Sequence, residues 1–301
     1  MSAASREMFR ASERGSVRSL RNWRRYSGLY ALCLLVTLIC IFPFLWMVKT
    51  SFTPLNEAIT YPPTFWPDNP TLVNYEALFT THSLSFPFTK FIINSVYISL
   101  LATIGRVFFS ALAGYAFARI QFAGSDAAFA VLISSLFMPP VMLIIPLYTT
   151  YTAIDFIDTH WPLILPGVFA STFGTFLMRQ FFRTIPVELE EAARIDGANR
   201  FYIFWAIMVP LSLPALAVVA IFAFQVMWND FYTPFIFINS PDKLTLPVGL
   251  ASFAAGIEYG GTPDYSVIMA GSVFAMLPVF VLYIALQRYF VEGIALTGVK
   301  G

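Results

Sequence analysis

Six apolar runs of about 20 residues organise this chain, and runs of that length suit helices that cross a lipid bilayer. They cover roughly 29–48, 91–118, 127–148, 161–182, 204–227 and 266–287. Inside hydrocarbon, every backbone N–H and C=O must be paired within the protein, which leaves helices or a closed barrel. Runs this long and continuous read as helices. The expected fold is therefore all-α, a polytopic membrane protein with six transmembrane helices. Charged residues make up only 12% of the 301, against about 25% in a soluble domain. The first run is too long for the apolar centre of a signal peptide, and no small-residue cleavage site follows it, so it is expected to remain as a span.

Lysine and arginine set the orientation. The segment before the first run carries Arg6, Arg10, Arg14, Arg18, Arg21, Arg24 and Arg25. With six spans, Arg119, Arg179, Arg183, Arg194, Arg200, Arg288 and Lys300 fall on the same side. Only Lys49, Lys90 and Lys243 fall opposite, and Arg106 lies within the second run. Both termini are expected in the cytoplasm. Residues 1–27 read as a basic tail, 28–288 as the membrane domain and 289–301 as a cytoplasmic tail made pliable by Gly293, Gly298 and Gly301. The two opposite-side segments, 49–90 and 228–265, are long, and such loops commonly bind.

Several functions lack the residues they would need. No Gly-rich phosphate loop ending in Lys-Ser/Thr occurs, so the chain is not expected to hydrolyse ATP. No Asp or Glu lies inside an apolar run, where an ion-coupled carrier commonly keeps one; such a carrier is the alternative reading. His82 and His160 form no metal or catalytic constellation. Cys33 and Cys40 sit seven apart, about 10 Å along a helix, too far for a disulfide. A net charge of +1 gives no reason to expect nucleic acid. Mid-run prolines (Pro43, Pro139, Pro140, Pro146, Pro210, Pro214, Pro278) are expected to bend helices, either for packing or for gating.

One charged island interrupts the apolar pattern between Pro186 and Pro210. Pro186 suits a first helical position. Glu188, Glu190 and Glu191 oppose the helix dipole in the opening turns. Ala192 and Ala193 favour helix and keep one face thin. Gly197 can take the left-handed conformation that ends a helix, and Asn199 can cap a second one. The expected product is a helix–turn–helix hairpin at the membrane surface, built to be held by another protein in water.

Read as a pattern, Glu191-Ala192-Ala193, then Gly197, then Ile207 and Pro210 resembles the EAA loop of binding-protein-dependent ABC importer permeases. Val209 stands where Leu is usual. The likeness extends to Tyr115-Ala116-Phe117-Ala118-Arg119, to Asp158-Thr159 with Leu163-Ile164-Leu165-Pro166, to Arg179-Gln180-Phe181-Phe182, to Trp228-Asn229-Asp230, and to Gln287-Arg288-Tyr289-Phe290 with Gly298-Val299-Lys300-Gly301. It covers about residues 28–301 and is most similar to the second permease subunit of maltose or glycerol-phosphate systems.

That resemblance implies a type I ABC importer permease fold in a bacterial plasma (inner) membrane. The partners it implies are a second homologous permease, two ABC ATPase subunits and an extracytoplasmic solute-binding protein. The small-molecule substrate would be a sugar, polyol or glycerol-phosphate compound. ATP and magnesium would act on the ATPase, with no cofactor on this chain. The coupling loop, about 183–203, would dock on the ATPase through Glu190, Glu191, Ala192, Ala193, Asp196, Gly197 and Ala198. Glu191 is the expected charged contact. Gly298, Val299, Lys300 and Gly301 would reach the ATPase as a tail. Arg106 and Asn229 are the candidates for the substrate path. A charge at the depth of Arg106 costs about 2.5 kcal/mol or more. It is expected to meet a carboxylate or carbonyl array of the partner permease, to snorkel, or to meet substrate.

Overall fold

The computed structural model of the chain describes residues 3–80, 87–169, 171–254 and 264–298, with side chains described between 26 and 288. All regular elements among the described residues are helical. They are α1 (Ala3–Ser51), α2 (Leu55–Ala58), α3 (Val73–Thr80), α4 (Phe88–Arg119), α5 (Ser125–Ser134), α6 (Ile144–Ala153), α7 (Trp161–Val168) and α8 (Thr172–Thr184). Then follow α9 (Glu188–Ile195), α10 (Arg200–Ile203), α11 (Val209–Leu211), α12 (Leu213–Trp228), α13 (Tyr232–Phe237), α14 (Leu246–Ala254) and α15 (Tyr265–Gly298).

Helix α4 is the central post. It packs against α7, α8 and α12, while α15 packs against α1 and α12. Its buried side is lined by Ser95, Ser99, Ala102, Ser110, Ala111 and Gly114. Small residues let helices approach closely where lipid gives no hydrophobic drive. A Cβ on Gly114 would lie 2.5 Å from Cβ of Met178 on α8, so only glycine permits this crossing. Two apolar clusters fill the bundle. One surrounds Phe88, Phe91, Trp228 and Phe237; the other surrounds Tyr115, Met178, Phe182, Phe204 and Met208, at the end that carries the charged island.

Four stretches are long and apolar enough to cross a bilayer: Tyr26–Ser51, Phe88–Arg119, Trp161–Thr184 and Tyr265–Arg288. The third and fifth expected runs are instead bent pairs. Ser125–Phe137 and Pro140–Ala153 meet at 96°, where Pro139 and Pro140 supply no N–H to continue the ladder. Arg200–Leu211 and Leu213–Trp228 meet at 80°. Residues 204–211 therefore belong to the charged island's second arm, and α12 rises only about 24 Å. Pro43 and Pro278, by contrast, sit inside continuous helices.

Both expected tails are helical where the structure describes them. Helix α1 begins at Ala3, and α15 runs through Gly298, so each flank continues its neighbouring helix. Val299, Lys300 and Gly301 lie outside the described residues, as does His82. Cys33 and Cys40 are free and exposed.

The segment after α1 is tied to it. The buried Asn74 amide donates to the carbonyls of Ser51 and Thr53, both at 2.9 Å. Ser51 Oγ and Tyr75 Oη are 2.7 Å apart. Tyr61, Phe65 and Trp66 remain exposed beyond that tether.

Candidate functional site: the charged hairpin and its anchors

The hairpin starts later than its sequence suggests. Pro186 precedes the helix, and Val187 occupies the N-cap position of α9. The end of α9 is a Schellman motif. Gly197 N–H donates to the Arg194 carbonyl at 3.0 Å and Ala198 N–H to the Ala193 carbonyl at 2.9 Å. This closure needs a left-handed residue, and Gly197 supplies φ +87°. Asn199 Oδ1 then accepts from Tyr202 N–H at 2.8 Å and caps α10.

The second arm widens to a π-helix at Phe204–Met208 before α11. Pro210 accounts for this: its ring would strike the carbonyl four residues earlier in a regular α-helix. The motif residues Ile207 and Pro210 thus shape a bulge that precedes the 80° turn into α12.

The helix α9 has two unlike faces. Glu191, Ala192, Asp196 and Gly197 are exposed, and Ala193 and Ala198 are half-buried. Ile195 stands 87% exposed at the tip, flanked along the hairpin by the exposed Phe201 and Tyr202. Ala193, Asp196, Gly197, Ala198, Asn199 and Tyr202 line an open concavity of about 550 Å³ between the arms.

Glu190 does the opposite of what its neighbours do. It is 0% exposed and points into the helical bundle, so it is removed from the group expected to touch an ATPase. Its Oε1 lies 2.9 Å from Nε of Arg119, an ion pair without the alignment of a hydrogen bond. Its Oε2 accepts from Arg194 Nη2 at 3.2 Å and from Tyr115 Oη at 3.4 Å. Arg119 Nη2 also donates to the Phe182 carbonyl at 2.7 Å and to the Ile185 carbonyl. Phe182 lies in the last turn of α8 and Ile185 is its C-cap, and the Phe182 carbonyl also accepts from Ile185 N–H at 3.3 Å.

Arg106 finds its carbonyls within this chain, so the expected array on a partner permease is not needed to satisfy it. Helix α7 stops at Val168, inside an otherwise apolar stretch. Arg106 Nε donates to the Gly167 carbonyl at 3.0 Å and Nη2 to that of Pro166 at 3.3 Å. One turn further along α4, Ser110 Oγ accepts from Ser171 N–H at 3.3 Å. Ser171 Oγ in turn caps α8 by accepting from Gly174 N–H at 2.9 Å. Two residues of α4 thereby satisfy both sides of a broken helix, and a cation suits the C-terminal end of α7. Asn229 ends α12, where its amide donates to the Gln225 carbonyl at 2.9 Å. It shares no hydrogen-bond partner with Arg106.

At the opposite end, Asp158 forms a clasp. Oδ1 accepts from the N–H groups of Asn239 (2.9 Å) and Ser240 (2.8 Å), and Oδ2 from Ser240 Oγ (2.5 Å) and Lys243 Nζ (3.1 Å). Burial alone would raise its pKa, but these donors together hold it well below the usual carboxylate range. His160 completes the clasp between Tyr97 and the Lys243 carbonyl. A carbonyl only accepts, so Nε2 carries the proton there.

Sequence reasoning missed Ile195, the inward turn of Glu190, Ser110 and the Asp158 clasp. Arg119 stood in a recognised motif without a role. Among the described residues, no group of three or more His, Cys, Asp or Glu could hold a metal.

Comparison with known proteins gives concordant results. The family described as binding-protein-dependent transport system inner membrane component matches residues 107–295. The inner membrane ABC transporter permease protein YcjP of Escherichia coli (strain K12) is 36% identical over 278 residues, covering 91% of this chain and 96% of the relative. The arabinooligosaccharides transport system permease protein AraQ of Halalkalibacterium halodurans is 35% identical, covering 88% and 93%. In the crystal structure of a bacterial ABC transporter involved in the import of the acidic polysaccharide alginate, one chain matches with a TM-score of 0.76. It is 23% identical and the match covers 90% of this chain and 98% of that one. This chain has the ABC importer permease fold.

Proposed function

This chain belongs to the binding-protein-dependent transport system inner membrane components, and on that premise we propose that it is one permease subunit of an ATP-driven oligosaccharide importer. The names of its relatives, which include arabinooligosaccharide and galactooligosaccharide permeases, favour oligosaccharides over polyols or glycerol-phosphate compounds. The subunit is a non-catalytic inner-membrane component, and ATP hydrolysis belongs to a partner ATPase. In this reading ATP and magnesium are used there, and this chain binds no cofactor.

The proposal places six spans across the membrane with both termini in the cytoplasm. Four are the apolar helices above, and the two bent pairs supply the others. The Lys and Arg distribution supports this orientation. A second homologous permease completes the path, two ATPase subunits bind below, and an extracytoplasmic solute-binding protein delivers substrate.

The observation that carries the reading is the two-faced helix α9. Its exposed face, with Ile195 at the tip and Glu191, Ala192, Asp196 and Gly197 around it, is offered to a cleft on the ATPase. The half-buried Ala193 and Ala198 keep the hairpin thin. Gly298, Val299, Lys300 and Gly301 are proposed to contact the same partner. Arg106 is proposed as the brace of the broken helix, and its exposed side remains a candidate lining of the path with Asn229.

The test is purification of the tagged chain from native membranes in mild detergent. An ABC ATPase and a second permease should co-purify in stable amounts. Recovery of the chain alone, or with no ATPase, would overturn the reading. An ion-coupled carrier would need an intramembrane acid, and none lies in the four apolar helices.

A further inference from the structure

The fully buried carboxylate of the hairpin faces away from the proposed docking surface. Glu190 is fully buried and meets Arg119, Arg194 and Tyr115. Burying a carboxylate is costly unless it is paired, and truncating one partner of such a pair leaves an uncompensated charge. The two nearby acids, Glu188 and Glu191, are exposed and show no ion pair among the described residues. Position 190 is therefore held for a reason other than solubility or the helix dipole.

Its main partner stands on a different element. Arg119 is the last residue of α4, the post against which α7, α8 and α12 pack. The same guanidinium holds the Phe182 and Ile185 carbonyls at the end of α8. One planar fork thus joins three elements: the end of α4, the end of α8 and the hairpin helix α9. Phe182 and Ile185 are buried around this knot, so the joint is backed by packing as well as charge.

The other connection of α9 follows a bent path. Past Gly197 the chain passes through a π-helix and then an 80° bend before α12. A Cβ at Gly197 would meet nothing within 4 Å, while Ala193 and Ala198 on either side pack against the core. The ion pair gives α9 a direct charged link to α4, beside a packed but bent path to α12.

We propose that Arg119 and Glu190 are positioning residues that make α9 and the adjoining end of α4 one rigid piece, so that motion imposed on the hairpin is transmitted to α4. This rests on the reading of the chain as an ATP-driven permease.

The experiment uses the complete importer in proteoliposomes, with Cys33 and Cys40 replaced by serine. Spin labels at Leu112 on α4 and Leu189 on α9 report the distance across the joint in nucleotide-free and ATP-trapped states. The expected distance stays constant within about 2 Å, the size of an ordinary interfacial helix shift. A larger change in the otherwise unaltered complex overturns the proposal. In parallel, Glu190→Gln should lower substrate transported per ATP hydrolysed by at least about fivefold, the low end of an ordinary coupling free energy. A merely structural role would lower the amount of complex and leave that ratio unchanged, which also counts against the proposal. If the variant does not assemble, the label distances still decide. If no ATPase associates with the chain at all, the functional reading fails; if it associates and the labels move apart, only the rigid joint fails.

Discussion

Arg119 Nε lies 2.9 Å from Glu190 Oε1, joining the last residue of α4 to the first turn of the hairpin helix α9. Arg119 is 12% exposed and Glu190 not at all. Breaking such a pair from one side costs about 3–5 kcal/mol, whereas replacing both partners by apolar groups costs far less. Glu190→Leu and Arg119→Met should each lower the melting temperature of the purified subunit, and the double variant should lower it by less than the sum of the two. A double-mutant cycle with no coupling energy would remove the pair from the account.

Gly197 holds φ +87° with open space where a Cβ would project. Strain at this site is therefore purely conformational. Gly197→Val should cost more than about 1 kcal/mol of hairpin stability, whereas Gly197→Asn, which tolerates the left-handed region, should cost less. Uptake at matched subunit abundance should rank Gly above Asn above Val. Equal uptake by all three would show that the turn is not needed.

Arg106 donates to two carbonyls at the end of α7. An ammonium has no planar fork with which to meet both. Arg106→Lys should keep part of the thermal stability, and Arg106→Ala should lose more, with α7 less protected in hydrogen exchange. Unchanged protection of residues 161–168 in the alanine variant would show that the carbonyls are satisfied without the guanidinium.

The Asp158 clasp predicts a pH window. Its folded pKa is lowered, so its contribution is fully present above the unfolded value of about 3.9 and is lost only as pH falls through the lower folded value. Proteolysis near residues 239–243 should be slow and flat from neutral pH down to about 4. Asp158→Asn should speed cleavage throughout that range. A wild-type rise in cleavage between pH 7 and 5 would contradict the lowered pKa.

Much of this organisation was legible in the sequence because each feature had a local cause. Apolar length marked the helices α1, α4 and α15, and Gly197 and Asn199 announced the two hairpin caps. The bent pairs were harder. Residues 204–211 are as apolar as a span, and only their packing against Tyr115, Phe182 and Met178 assigns them to the hairpin. Glu190 was indistinguishable from Glu188 and Glu191 by type. Its inward turn depends on an arginine 71 positions earlier, a relationship created by the α4–α8 crossing. Arg106 likewise looked unpartnered because backbone carbonyls freed by a helix break leave no mark in residue type.

The most direct measurement of the central claim is photo-crosslinking from position 195. A photoreactive amino acid replacing Ile195 in the intact membrane complex should yield a covalent adduct with the ABC ATPase. The same group at Tyr61, on the tethered segment after α1, should yield none with that subunit. No ATPase adduct from position 195, in membranes where the complex is assembled, would contradict the account.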